Sequence, residues 1–138
     1  MDANGEAFPY HEYVDEVWNA HDPSALGKFF SPDVVVHSLT PGIDPGTGLY
    51  YLKDLAQSLF DAFPDVHFVV EELIQLGDRL AVRATLEGTH EGEFAGISAT
   101  GKRMKVYDFV MYRISDGKIT EVWSLVDMQG LRDQLGES

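Results

Sequence analysis

From Met104 to Arg113 the chain is apolar in the middle of both faces of a β-strand. Met104, Val106, Asp108, Val110 and Tyr112 alternate with Lys105, Tyr107, Phe109, Met111 and Arg113, so one set lies on each side of a sheet. An antiparallel strand with one wet face should alternate apolar with polar residues. Both sides are therefore expected to be covered, and a chain of 138 residues carries helix enough for only one of them. The other cover is expected to be a second copy, in a homodimer that buries Tyr107, Phe109 and Met111. A sheet that curls over its own core is the alternative.

The surrounding sequence supports a sheet with helices on one face. Tyr10, Tyr13, Val14, Val17 and Trp18 recur at helical spacing from Pro9 to about Asn19. Asp22-Pro23 opens a second short helix, with Asp22 as cap and Pro23 in the first helical position, and Ser31-Pro32-Asp33 closes it. Val34 to His37 reads as a short strand and residues 40–48 as a loop. A third helix carries Leu49, Leu52, Leu55, Ala56, Leu59, Phe60 and Phe63 and stops at Pro64-Asp65. Residues 66–76, 80–90, 103–114 and 119–127 are rich in β-branched and aromatic residues, and turn signals separate most of them. Helices first and a meander of long strands afterwards predict an α+β fold. The expected organisation is a tail over residues 1–8 and a single domain over residues 9–138, without internal repeats.

Charge and composition narrow the function. The formal net charge is −13, and residues 1–100 hold seventeen acids against four bases. Such a surface repels phosphate backbones and anionic membranes, so neither nucleic acid nor membrane is an expected partner. The five bases from Lys102 to Lys118 are scattered along strand-like sequence and read as a solvated edge. The absence of cysteine excludes disulfides, thiolate metal sites and cysteine nucleophiles. No apolar run is long enough to span a bilayer, and the first residues do not resemble a signal peptide, so a cytoplasmic protein is expected.

Asp108 is the leading chemical candidate. Aspartate is disfavoured inside strands, and a buried carboxyl group must find a donor or hold its proton more tightly. A hydroxyl, Trp18 or Trp123 would satisfy it structurally. Left underpaired, it would serve as a general acid or base. His37 ends a short strand before the Pro/Gly loop, where a cavity mouth is expected; His90 lies at a strand end beside Gly92. His67 reads as structural, and His11 and His21 receive no role. No pair of histidines has ligand spacing, so no metal and no cofactor is expected. Asp127 precedes the helical run Met128, Leu131, Leu135 and reads as a helix cap.

Several stretches, in order, carry a resemblance: Trp18-Asn19-Ala20, Ser31 to His37, Gly46-Thr47-Gly48, Ala62-Phe63-Pro64-Asp65, Gly88 to Gly92, Tyr112 to Ile119, Asp127 to Gly130 and Gln134-Leu135-Gly136. From about Tyr10 to Gly136 the chain resembles SnoaL-like polyketide cyclases, within the nuclear transport factor 2-like superfamily that also holds ketosteroid isomerases and limonene epoxide hydrolase. The resemblance implies a cone: a curved antiparallel or mixed sheet wrapped around the N-terminal helices as a cystatin-like α+β barrel, enclosing an apolar pocket, with dimers formed through the outer sheet face. It also implies an aspartate on the last strand acting as acid/base and a histidine on the strand before it. Those two positions fall on Ser124 and Val110, which cannot do that work. The ketosteroid isomerase tyrosine falls on Val14 and its strand acid on or near Val110.

What the resemblance leaves is Asp108, on the same face as the lost histidine, with His37 at the mouth and His90 as further catalytic candidates. Trp18, Val110, Tyr112 and Ser124 are the expected substrate-binding residues. The expected activity is a cyclase or isomerase acting without a cofactor on an apolar, oxygenated, polyketide-like intermediate. Asp108 would move the proton and His37 would polarise or shuttle. A binding or dimerisation module without chemistry is one alternative. Epoxide opening, with a second acid near Asp108, is another.

Overall fold

The computed structural model describes residues 7–136. The first helix, α1, begins as an α-turn over Tyr10–Tyr13 and widens into π-helix over Val14–Asn19. Its wide turns show in the bonds Ala20 N to Asp15 O (3.0 Å) and Asp22 N to Val17 O (2.9 Å), each spanning five residues. The apolar periodicity located this helix but not its pitch. Five-residue turns bring Tyr13 and Trp18 onto one side, where the indole N–H donates to the Tyr13 hydroxyl at 2.7 Å. Residues 1–6 of the expected tail lie outside the described residues. Phe8 belongs to the core instead: it is buried, its ring meets Phe29 edge-on at 6.4 Å, and its N–H donates to Gln75 Oε1.

Asp22 caps a 3₁₀-helix over Pro23–Lys28, its Oδ1 accepting the Ser24 N–H at 3.1 Å. Strand β1 follows at Phe30–Ser38, longer than the four residues expected. Pro32, which looked like a terminator, falls where the pairing register shifts between Phe30 and Val35, and there its missing N–H disrupts no ladder. The two-residue β2, Gly46–Thr47, leads into helix α2, Gly48–Ala62, which buries Leu52, Ala56 and Phe60. A side chain at Gly46 would place its Cβ 2.1 Å from the Tyr51 ring, so only glycine lets that ring pack there.

Four long strands complete the sheet: β3 His67–Leu76, β4 Arg79–Thr89, β5 Arg103–Ser115 and β6 Lys118–Val126. A final helix, α3, spans Met128–Gln134, and Asp127 caps it by accepting the Gly130 N–H at 2.9 Å. The strand order is β2-β1-β6-β5-β4-β3, with β1 and β6 parallel and every other pair antiparallel. The α+β class and mixed sheet agree with expectation, but the sheet does not close. Strands β2 and β3 remain its two edges, so the architecture is an open sheet rather than a barrel.

Burial alternates strictly along most of β5. Met104, Val106, Asp108, Val110 and Tyr112 turn inward, under the helices, whereas Tyr107, Phe109 and Met111 are 50%, 53% and 47% exposed. Leu125 on β6 pairs with Phe109 and extends this outer apolar patch. Among the described residues, no helix is long and apolar enough to cross a membrane.

Candidate functional site

A cavity of about 130 Å³ lies between α1, α2 and the inner face of the sheet. Its walls are mostly hydrocarbon: Leu52, Leu55 and Leu59 from α2, Val106 and Val110 from β5, Val122 from β6, and the rings of Tyr13, Trp18, Phe30, Phe63, Phe68 and Tyr112. A strand period of two and a helical period near four point these side chains at the same space. Polar groups are few. Ser38, Thr40, Ser124 and the tyrosines contribute hydroxyls, and Asp108 is the only carboxyl group in the lining.

Asp108 is 6% exposed. Ser124 of the neighbouring strand β6 lines the same cavity and its hydroxyl favours the charged carboxylate, while Oδ1 has no hydrogen-bond partner among the described residues. Burial pushes the carboxyl up to about 7, and the Ser124 hydroxyl pulls only partly against it. Asp108 therefore exchanges its proton near neutrality. Trp18 is not its partner, being bonded to Tyr13. Trp123 is not either, because it lies on the outer face, paired in register with Met111.

A cluster of phenols surrounds this carboxyl. Tyr10 and Tyr112 share a hydroxyl–hydroxyl bond of 2.6 Å, and their rings meet edge-on at 5.4 Å. Burial holds Tyr10, Tyr13 and Tyr112 above the usual phenol range, and the negative charge of Asp108 raises each further. They stay neutral and serve as wall and hydrogen-bonding groups. Tyr10 and Tyr13 were legible only as the apolar side of a helix, and nothing in the sequence joins Tyr10 to a residue 102 positions away.

Thr40 was also read as loop. It is buried, and its hydroxyl accepts the Val126 N–H at 2.9 Å while donating to the Ser124 carbonyl at 3.4 Å. The loop after β1 is thereby stitched to β6 on both sides of Leu125.

The four expected binding residues Trp18, Val110, Tyr112 and Ser124 all line the cavity together with Asp108. The two histidines do not. His37 pairs with Trp123 in register and stacks on it, ring centroids 5.0 Å apart, and its Nε2 lies 2.8 Å from Glu121 Oε2. Its neighbours Val36 and Ser38 face the cavity, so strand alternation puts His37 on the opposite side of the sheet. The expectation of a histidine at the mouth fails because β1 pairs with β6 in the register that turns Val36 and Ser38 inward and His37, opposite Trp123, outward. His90 is fully buried beyond the cavity lining, against the Phe63 ring at 5.3 Å. Its Nδ1 accepts the Thr100 N–H at 3.2 Å, which ties down the loop that precedes β5. Among the described residues, no cluster of three or more His, Asp or Glu side chains could hold a metal ion.

The profile of SnoaL-like polyketide cyclases matches residues 10–135, from α1 to the end of α3. The chain belongs to this family. Among solved structures of similar fold, IdmH of Streptomyces antibioticus, a polyketide-cyclase candidate, is 32% identical over 88% of this chain and 91% of that one, with a TM-score of 0.76. A SnoaL-like polyketide cyclase from Agrobacterium tumefaciens is 27% identical over 99% of both chains, with a TM-score of 0.80. AclR of Streptomyces galilaeus, a hydroxylase candidate, is 30% identical over 94% of this chain and 98% of that one, with a TM-score of 0.78. Comparison with functionally curated proteins returns no match.

Proposed function

We propose that this SnoaL-like protein is a cyclase or isomerase that moves a proton on an apolar, oxygenated small molecule, with Asp108 as the acid/base group. The observation that carries the reading is the Asp108 carboxyl itself: walled by hydrocarbon, with Ser124 in the same lining, and pushed by burial up to about 7. As the carboxylate it takes a proton from a carbon next to a carbonyl. As the acid it returns that proton to the rearranged product, so the group ends each turnover as it began. The apolar walls hold a flexible substrate in a reactive shape, an effect that reaches roughly 7–11 kcal/mol in favourable cases. No histidine takes part.

Trp18, Val110 and Tyr112 contact the substrate, while Ser124 draws down the proton affinity of Asp108. The epoxide-opening alternative loses support, because no second acid lines the cavity. Binding without turnover keeps one observation in its favour: the space of about 130 Å³ is crowded by aromatic rings.

The test is proton exchange at a carbon acid. A neutral bicyclic ketone such as 2-tetralone is incubated in D₂O with wild-type protein and with Asp108→Asn, and deuterium uptake is followed by NMR. Exchange above the buffer rate in wild type alone supports the proposal. Equal rates with both proteins would leave a binding module.

The outer face of β5 and β6 supports a homodimer as part of the same reading. Tyr107, Phe109, Met111 and Leu125 form an exposed apolar patch in the middle of the sheet, of the kind that a second copy covers.

A further inference from the structure

The charge lining the cavity is of one sign. Neither a lysine, an arginine nor a histidine lines it, and Asp108 is its only carboxyl. Outside lies a groove that shares Ile43, Tyr51, Leu55 and Phe94 with the cavity and so adjoins it. That groove carries Asp44, Asp54 and Glu93, again without a base. The linings of the cavity and the groove beside it thus hold four carboxyl groups, with Arg132 bonded at 3.4 Å to the Ala95 carbonyl in the groove as the neighbouring cation. The short range of screened charge makes this local arrangement matter more than the net −13 of the chain.

The inner end adds an independent observation. Asp108 is more than nine-tenths buried, lines the cavity, and has one oxygen with no partner. An unpaired carboxylate in hydrocarbon gains most from a cation that replaces its lost water. The rings of Tyr13, Trp18, Phe30 and Tyr112 line the same cavity, and electron-rich ring faces attract cations and are indifferent or unfavourable to anions. An aromatic-lined cavity holding one carboxylate matches a positively charged nitrogen on an apolar skeleton. A neutral alcohol or ketone would use the rings and leave the charge uncompensated.

We propose that the cavity also takes, in competition with its neutral substrate, an apolar molecule bearing one basic amine, whose ammonium group pairs with Asp108 and blocks its acid/base role. The proposal rests on the reading of this cavity as the ligand site and names a further class of molecule that enters it.

The test uses three probes on one rigid skeleton, 2-aminoindane, 2-indanol and indane-2-carboxylate, titrated into the full-length protein and followed by NMR shifts of the cavity residues. The amine is expected to bind about tenfold or more tightly than the alcohol, and the carboxylate weakest. Ammonium binding requires the Asp108 carboxylate, so affinity for the amine should rise from about pH 5.5 to about pH 8.5, through the region near 7 where Asp108 loses its proton. In Asp108→Asn the preference for amine over alcohol should disappear. The wild-type pH series stands even where that variant folds poorly. Alcohol binding as tight as the amine, or amine affinity that falls with rising pH, would overturn the amine assignment and leave the cavity as a ligand site. Failure of all three probes to shift cavity resonances would overturn the cavity as the ligand site as well.

Discussion

Ser124 on β6 and Asp108 on β5 share the inner face of the sheet, and the Ser124 hydroxyl draws down the proton affinity of the buried carboxyl. This pairing determines how Asp108 behaves. Burial in hydrocarbon favours the protonated acid, and a donor to the carboxylate opposes that preference. With both acting, the group titrates near 7 and not in the range of an exposed aspartate.

Removing the donor should therefore make Asp108 hold its proton more strongly. In Ser124→Ala the alkaline-rising limb of kcat/KM is expected to move to higher pH, with the plateau rate largely kept. A pH–rate profile measured beside wild type checks this, and an unmoved limb would separate Ser124 from the chemistry.

Asp108→Asn should abolish proton transfer, with a loss of roughly 10²–10⁴-fold in kcat. It should also stabilise the fold at alkaline pH. The native carboxyl binds its proton with a pKa raised from 3.8 to about 7, so the native state holds more protons than the unfolded chain across that interval. Stability in wild type therefore falls as pH rises from about 4 to about 7 and levels off above, a cost on the order of 2–4 kcal/mol. Urea unfolding at both ends of that range should show the variant lacking this decline, and parallel slopes would contradict the burial argument.

His37 serves as the negative control for the site. Its ring stacks on Trp123 and meets Glu121 on the outer face. His37→Ala is expected to leave kcat/KM within about twofold of wild type and to cost no more than about 1 kcal/mol, as for an exposed ion pair. A large loss of kcat at constant stability would place this histidine back in the chemistry.

Phe109 is half exposed beside Tyr107, Met111 and Leu125. Under the homodimer proposal, Phe109→Glu together with Met111→Lys should shift sedimentation from dimer to monomer at about micromolar concentration. Both side chains point away from Asp108, so the thermal midpoint of the monomer should change little. A wild-type protein that already sediments as a monomer would end the dimer proposal.

Much of this protein is local and was readable from its residues. Three helical segments, four long strands, the Asp22 and Asp127 caps and the two faces of β5 follow from period, turn chemistry and capping, because each depends on neighbours within a few residues. The isolation of Asp108 on an inward face was readable for the same reason. The partners were not. Whether His37 faced the cavity depended on the register in which β1 pairs with β6, a shift of one residue reversing every side chain. The π-turns of α1, the Tyr10–Tyr112 bond, the stitch from Thr40 to β6 and the open edges at β2 and β3 join residues far apart in the chain. The sequence by itself determined that one acid would be buried. Only the tertiary structure decided that its neighbours would be a serine and a wall of rings and not a histidine, because burial is a property of one position whereas a site is a meeting of several.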